Sequence, residues 1–472
     1  MAKDLLPNKD THSAEWYTAV VQLAEMADYG PSKGTIIFRP YSYAIWERIQ
    51  AAYDKMIKDY GVENVYFPMF IPMSFLEKEK DHVKGFAPEL AIVTHGGGQE
   101  LEEKLAIRPT SETTINNSFS KWIQSYRDLP MMLNQWCSAV RWEKRTLPFL
   151  RTTEFLWQEG HTVHRTHEEA KEMQQYAMDS YIKLYREYFA LDGYVGKKSK
   201  METFAGADET LTFETMLPSG KALQSCTSHD LGQNFAKAFE TAFQDEDGET
   251  KYVWQTSWGI STRSIGGLIL GHGDNNGLVL PPKLAPIQVV IVPIQVTKEL
   301  LDYCNKIADQ LKKVGVRVQV DTRDDERFGY KLNKWEVKGV PLAFKIGDKE
   351  AAADLITAKR RDTGEEVKFA DKDAAKEVQK ILEEIQDMLL EKSRKVRDEN
   401  TREATSYDEM KQILKEHKGF VKVFWNDDPK IEAKIKEETK AVSRCRIATD
   451  QKGTDFYTGK PATEVWLFAQ SY

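Results

Sequence analysis

Apolar residues recur at helical spacing over residues 41–60, where Ile45, Ile49, Ala52, Tyr53 and Met56 share one face and Gly61 stands at the stop position. The run VENVYFP that follows reads as a strand ended by Pro68. Residues 168–189 carry a second long amphipathic helical pattern. At 281–286 the stretch PPKLAP breaks the composition and predicts a linker. Beyond it strands and helices alternate: IQVVIVPIQV, helix KELLDYCNKIADQLKKVG, VRVQVD, a shorter helix near 326–337, then VPLAFKIG. That order predicts a compact α/β unit on a mostly parallel sheet. A charged helix over about 372–398 leads into a last segment of about 75 residues with several short strands. No internal repeat or low-complexity tract is present.

One stretch departs from ordinary segregation of charged and apolar positions. RWEKRTLPFLRTTEFLWQEGH, residues 141–161, mixes three arginines, three glutamates and a histidine with aromatics. Read with period two, Arg151, Thr153, Phe155, Trp157, Glu159 and His161 fall on one face of a strand. KRTLPFL then predicts the loop of an antiparallel pair whose other arm carries Arg141 and Glu143. Charge and aromatic surface on the same face suit a concave site for a small charged molecule.

Length and composition narrow the picture. At 472 residues the chain is too long for one ordinary core, which predicts two or three domains. Its 41% hydrophobic and 29% charged residues fit a soluble globular protein and argue against disorder. No run of eighteen apolar residues occurs and MAKDLLPNKD lacks a signal-peptide core, so no membrane association is expected. Cys137, Cys226, Cys304 and Cys445 lie far apart with no CxxC pair, which predicts reduced thiols in a cytoplasmic setting. A net charge of −7 argues weakly against a nucleic-acid partner, although a local basic face would outweigh the sum.

Candidate chemistry gathers in three clusters. The first is RPTSE (108–112), whose Thr110 and Glu112 suit an ammonium or secondary amine; the second is the 141–161 stretch. The third pairs LQSCTSHDLGQ (223–233) with SWGISTRSIGGLILGHGD (257–274). Arg141, Arg151 and Arg263 suit a polyphosphate through bidentate guanidinium contacts. The glycines at 259, 266, 267, 271 and 273 suit close packing beside it. No GxxxxGK[ST] occurs, which argues against a P-loop nucleotidase. Taken singly, Arg141 with Glu143 reads as a cross-strand ion pair, Phe155 and Trp157 as core, and His161 and His229 as structural histidines. Their co-occurrence in one domain favours a site.

RPTSE, the RWE…RTTEFLWQEGH run, QSCTSH and WGISTR together resemble a class II prolyl-tRNA synthetase, and the likeness covers nearly the whole chain. VENVYFPMFIP resembles motif 1 with its terminal Pro68, the 141–161 stretch motif 2, and the segment ending at Arg263 motif 3. The resemblance implies a mixed α/β protein in three parts. These are a class II antiparallel-sheet catalytic domain at 1–281, an α/β anticodon-binding domain at 287–390 and a small α+β C-terminal domain at 391–472. It implies ATP and Mg²⁺ as cofactors, L-proline and tRNA(Pro) as partners, and a homodimer.

Residue by residue, the resemblance places Arg141 at the α-phosphate and the amino-acid carboxylate, as a catalytic residue with Arg263. Glu143 would lie near the adenine amino group, and Phe155 would stack on adenine. Arg151 and Arg263 would clamp the outer phosphates. Thr152, Gln224, Thr227 and Ser261 would complete the nucleotide site, with Gln224 near Mg²⁺. Proline would sit among Thr110, Glu112, Trp157, Glu159, His161 and His229. In WEVKGVP, Glu336 and Lys338 would read anticodon bases, but Ala343 stands where relatives often carry arginine. About 95 residues separate Gly160 from Trp258, too few for the editing insertion of bacterial-type relatives. The C-terminal part resembles the archaeal and eukaryotic-like form, yet Asn426, Ile431, Asp455 and Thr458 occupy its zinc-cysteine positions, so no structural zinc is expected. The terminal Tyr472 would reach the catalytic domain or end a packed surface strand. A threonine-specific relative would use Cys226, His161 and His229 to hold zinc; WQEGH and RPTSE favour proline.

Overall fold

The computed structural model describes residues 5–78 and 89–472. The chain opens with helix α1 (Ser13–Leu23), whose Trp16, Tyr17 and Val20 are fully buried. Helix α2 (Pro40–Asp59) follows the predicted stripe, burying Ile45, Ile49 and Tyr53, and stops before Gly61 at φ +99°. Proline at its first position suits a helix start, where an N–H would lack a partner anyway. Large aromatics dominate this core: burying a ring such as Trp16 or Trp46 removes roughly 150–250 Å², about 4–6 kcal/mol of gross transfer free energy.

The strand expected over VENVYFP shrinks to β1 (Glu63–Asn64). Its continuation is diverted because the Phe67 N–H donates to the Gln135 side chain (2.6 Å) and Pro68 has no N–H to offer. Helix α3 (Glu112–Trp122) starts directly after Ser111 and carries Glu112 on its first turn. Strands β2 (Met131–Val140) and β3 (Glu154–His164) pair antiparallel in unbroken register. The loop between them is longer than predicted. Arg141, Glu143, Arg151 and Thr153 all belong to it, because Tyr17 Oη holds the Pro148 carbonyl (2.7 Å) and Thr153 N–H holds that of Gly34 (2.8 Å).

Helix α4 (His167–Leu184) begins with a Thr166–Glu169 capping box and ends in a wider turn, Tyr185–Phe189. Strands β4 (Gly193–Lys197), β5 (Glu209–Met216), β6 (Ala222–Gly232) and β7 (Trp254–Ser261) continue the same sheet, and helix α5 (Arg263–His272) leaves its end. A Cβ on Gly266 would press on Leu150, on Gly267 on Leu223 and on Gly271 on Leu191, so the predicted close packing of this helix is real.

The 281–286 segment is packed rather than free: Leu284 and Ala285 are fully buried, and Arg317 donates to the Ala285 carbonyl at 2.9 Å. The second module contains β8 (Val289–Pro293), α6 (Lys298–Lys313), β9 (Val318–Val320), α7 (Phe328–Val337), β10 (Leu342–Ile346), β11 (Leu355–Arg360) and β12 (Glu366–Ala370). Its sheet is mixed, not mostly parallel. Strand β8 pairs parallel with β9 and β10, but β10–β11–β12 run antiparallel: the short stretch 347–354 brings β11 back beside β10, and a turn at Gly364 (φ +77°) closes the β11–β12 hairpin. Arg361 binds Asp274 with both terminal nitrogens (2.8 and 2.6 Å), fastening this module to the first.

Helix α8 (Ala374–Glu399) leads to β13 (Thr401–Glu403), α9 (Tyr407–Glu416), β14 (Phe420–Phe424), α10 (Pro429–Thr439), β15 (Ala441–Ile447) and β16 (Val465–Gln470). These strands extend the sheet of the first module. Among the described residues the order is β13-β14-β16-β15-β4-β5-β6-β7-β3-β2-β1, eleven strands across. The join between β15 and β4 is close: a Cβ on Gly196 would lie 2.0 Å from the Arg446 carbonyl oxygen.

Candidate active site

The residues assigned above to ATP or proline, from Thr110 to Arg263, line one cavity of about 220 Å³ over the eleven-stranded sheet. Period-two alternation on β3 delivers Phe155, Trp157, Glu159 and His161 to it. In the irregular loop the parity slips, so Thr152 lines the cavity and Thr153 instead reaches back to the Lys33 carbonyl. The cavity floor is set by a small–large pair: Gly160 faces Trp258 across β3 and β7, and a Cβ there would lie 2.0 Å from the indole.

Charge within the cavity is sorted by position. At one end Arg141 donates from Nε to the Pro109 carbonyl (3.2 Å), and its guanidinium lies 5.3 Å from the Phe155 ring and 5.6 Å from Trp157. Arg263, on the first turn of α5, holds the Leu150 carbonyl at 3.3 Å. Burial and then the nearby charges of Arg141 and Arg151 bring Arg263 down to about 10, a sign of crowded cations. Arg151, half-exposed, faces Glu143 at 3.6 Å.

At the other end sit carboxylates. The Thr110 hydroxyl donates to Glu112 (2.5 Å). Glu159 accepts from Ser111 Oγ (2.5 Å) and N–H (3.1 Å), from Gln135 (2.7 Å) and from His161 Nε2 (3.0 Å). Burial pushes Glu159 up, but His161, Ser111 and Gln135 outweigh it and hold the carboxylate below its ordinary value. Burial likewise opposes a charge on His161, yet the Glu159 bond and charge win and raise it. His229 behaves oppositely. Burial, helped by the charges of His161 and Arg141, lowers it to about 3, and both ring nitrogens meet hydroxyls, Thr210 at 2.9 Å and Thr227 at 3.0 Å.

The cavity also contains residues the sequence did not single out. Phe204 packs 4.5 Å from the His229 ring, Lys198 reaches the wall from beyond β4, and Trp258 lies opposite Gly160. The Gly–Trp cross-strand pair had a readable signal; the other two come from an irregular segment with none.

Outside the cavity, Glu336 and Lys338 part company. Glu336 lies in a small surface pocket with Trp335, Ala343 and Lys359, and Lys359 Nζ holds its carboxylate at 2.9 Å. Lys338 is nearly buried between modules: its ammonium pairs with Glu25 and its carbonyl accepts from Tyr41 Oη (3.1 Å). Of the four positions where zinc cysteines were expected from the resemblance, Asn426 and Thr458 converge on a third, Asp455, while Ile431 packs against the C-terminal core. Tyr472 is anchored by its N–H to the Ala222 carbonyl (3.1 Å), so it reaches the sheet of the first module.

Residues 93–272 match the class II core domain of G, H, P, S and T tRNA synthetases, 288–381 an anticodon-binding domain, and 407–472 the prolyl-tRNA synthetase C-terminal domain. The proline–tRNA ligase of Arabidopsis thaliana chloroplasts and mitochondria is 49% identical over 97% of this chain and 86% of its own. That of Chlorobium chlorochromatii is 48% identical over 99% and 100%. The chain belongs to the class II prolyl-tRNA synthetase family. A crystal structure of the Cryptosporidium parvum prolyl-tRNA synthetase, complexed with halofuginone and AMPPNP, matches with a TM-score of 0.95 at 43% identity over 99% of both chains. As a family member the chain is an aminoacyl-tRNA ligase specific for proline. Residues 165–253, between β3 and β7, build α4, β4, β5, β6 and a short hairpin.

Proposed function

We propose that the cavity holds ATP at its arginine end and L-proline at its carboxylate end, and joins them as prolyl-adenylate. One observation carries this reading: Arg141, Arg151 and Arg263, far apart in sequence, line one cavity beside the Phe155 ring. Adenine stacks on Phe155 with Glu143 and Thr152 at its edge. Arg141 bridges the α-phosphate and the proline carboxylate, and Arg151 and Arg263 hold the outer phosphates. Glu112 accepts from the secondary ammonium, Trp157 and His229 wall the pyrrolidine ring, and Glu159 with His161 fixes the pocket floor. Gln224, Thr227 and Ser261 border the phosphates. For Mg²⁺ the cavity offers the Gln224 amide oxygen and Glu143, a sparse set that fits an ion held chiefly by phosphate oxygens. When bound it supplies charge neutralisation at those oxygens.

The reaction needs no protein base. The proline carboxylate is ionised at neutral pH and attacks the α-phosphorus; the bond from that phosphorus to the β-bridging oxygen breaks, and pyrophosphate keeps the electron pair. The candidate bases are otherwise occupied: Glu159 is surrounded by donors, and His229 is neutral with both nitrogens engaged. Catalysis by alignment and charge neutralisation fits such a site. The terminal ribose hydroxyl of tRNA(Pro) then attacks the activated carbonyl, the bond from that carbon to the phosphate oxygen breaks, and AMP leaves with the electron pair.

We assign residues 1–281 to catalysis, 287–390 to anticodon binding with Glu336 at the base-reading surface, and 391–472 to the C-terminal module. The burial of Lys338 against Glu25 favours a role in module docking over base contact. Exposed Tyr66, Phe70, Ile92 and Trp142 support pairing of two copies near Pro68. Four separate thiols support a reducing compartment such as the cytoplasm, and no helix among the described residues is long and apolar enough to cross a membrane. The decisive measurement is amino-acid-dependent ATP–pyrophosphate exchange with all twenty amino acids. Proline should dominate; a larger response to threonine or serine would overturn the specificity.

A further inference from the structure

Behind the arginine end of the cavity lies a second chamber of about 300 Å³. The two share Leu150, Arg151, Gln224 and Arg263, so these side chains stand between them. Beyond the shared wall the second chamber is lined by Arg145 on the β2–β3 loop, Arg444 on β15, and Tyr472. Four guanidinium-bearing side chains and no carboxylate side chain line it, among the described residues.

The electrostatics around it carry a surplus of positive charge. Buried Glu214 on β5 accepts from Arg444 Nε (2.9 Å) and Nη2 (2.6 Å), from Lys198 Nζ (2.8 Å) and from the Thr212 hydroxyl (2.8 Å). One carboxylate shared by two cations leaves a net charge of about +1 in a buried cluster. Lys198 faces the first chamber and Arg444 the second. Arg444 adds to the repulsion that Arg263 already feels from Arg141 and Arg151. The acidic neighbours, Glu143 on Arg151 and Glu214 on Arg444, lie outside this chamber's lining. Such an arrangement is incomplete without an anion, and a guanidinium fork matches terminal phosphoryl oxygens.

We propose that the second chamber is a subsite for inorganic pyrophosphate, with Arg145 and Arg444 as its own ligands and Arg151 and Arg263 as the shared gate. The proposal rests on the nucleotide reading of the first chamber. Once the α-phosphorus–oxygen bond breaks, the departing dianionic phosphoryl ends pass from Arg263 into the arginine-lined chamber, away from the adenylate. In the reverse reaction pyrophosphate enters by the same route. The C-terminal module thereby contributes a side chain to the first half-reaction.

The test is ATP–pyrophosphate exchange by the full chain, with pyrophosphate varied at saturating ATP and proline. The half-saturating pyrophosphate concentration should rise about tenfold in Arg444→Gln and severalfold in Arg145→Ala, with Arg444→Lys between, as expected for loss of one charged hydrogen-bonding group. The half-saturating proline concentration should stay within about twofold, a split that general damage to the sheet would not produce. Arg145 is exposed, so its variant keeps the test valid if Arg444→Gln folds poorly. Unchanged pyrophosphate dependence in Arg145→Ala and either Arg444 variant would overturn the subsite. So would a defect confined to the tRNA dependence of prolyl transfer from preformed adenylate, which would assign the chamber to tRNA phosphodiesters. Absence of proline-dependent exchange in the unmodified enzyme would instead sink the nucleotide reading itself.

Discussion

The arginine end of the cavity and the turn cluster around Asp455 both draw polar groups from distant segments, but they handle charge in opposite ways. Around Asp455 the account closes locally. One buried carboxylate accepts the N–H groups of Asn426 (2.9 Å), Tyr457 (3.0 Å) and Thr458 (2.8 Å), so two turns are knotted through a single side chain. In the cavity, Arg263 is buried against other cations and its basicity falls to about 10. The first arrangement is satisfied by the protein alone and holds structure. In the second, cation crowds cation, as suits a site for an anion.

Removing the cation should break this contrast most sharply. Arg263→Ala is expected to lower kcat/KM for exchange about a thousandfold or more, roughly 4 kcal/mol of transition-state stabilisation. Its melting temperature should hold or rise, since a crowded charge is gone. A large fall in melting temperature with retained exchange would reverse the assignment of the two regions. Asp455→Ala should do the opposite. Leaving three partly buried N–H groups without their acceptor costs about 3 kcal/mol, roughly one per hydrogen bond, and calorimetry should show the C-terminal module melting first. Asp455→Asn, which keeps one acceptor oxygen, should lose about half as much.

A smaller effect comes from pH. The unfolded chain protonates His229 near 6.5, whereas burial and the charges of His161 and Arg141 delay protonation in the fold to about 3. Between those values the unfolded state binds more protons, so stability falls on acidification by up to about 1.4 kcal/mol per pH unit. His161, raised by Glu159, works in the other direction: its contribution is complete below its unfolded value and fades as pH rises through the folded one. His229→Asn should flatten the acid slope of urea midpoints measured from pH 7 to 5. An unchanged slope would mean the ring is charged in the fold.

Much of the cavity was legible because strand periodicity is strict. Phe155, Trp157, Glu159 and His161 follow from alternation alone, and the stripes of α2 and α4 follow from helical spacing. What escaped depends on partners far along the chain. Glu63–Asn64 stays short because the Phe67 N–H goes to the Gln135 side chain and Pro68 has none; Lys338 is occupied by Glu25; Thr153 turns away from the cavity because the loop is pinned by Tyr17 and Gly34. In the Lys198–Glu214–Arg444 cluster, Glu214 and Arg444 lie 230 positions apart, and no local pattern encodes that pairing. The mixed sheet of the second module was misread because a hairpin turn and a crossover look alike until the pairing is known.

The seam at Gly196 has a consequence for anyone shortening the enzyme. The strands after residue 400 act as a selvedge that keeps the central fabric from catching on its neighbours. Cut away, they would bare the open N–H and carbonyl groups of β4, a template on which another molecule's strand could zip. A trimmed catalytic fragment should therefore come off a sizing column as aggregates rather than as a well-behaved minimal enzyme.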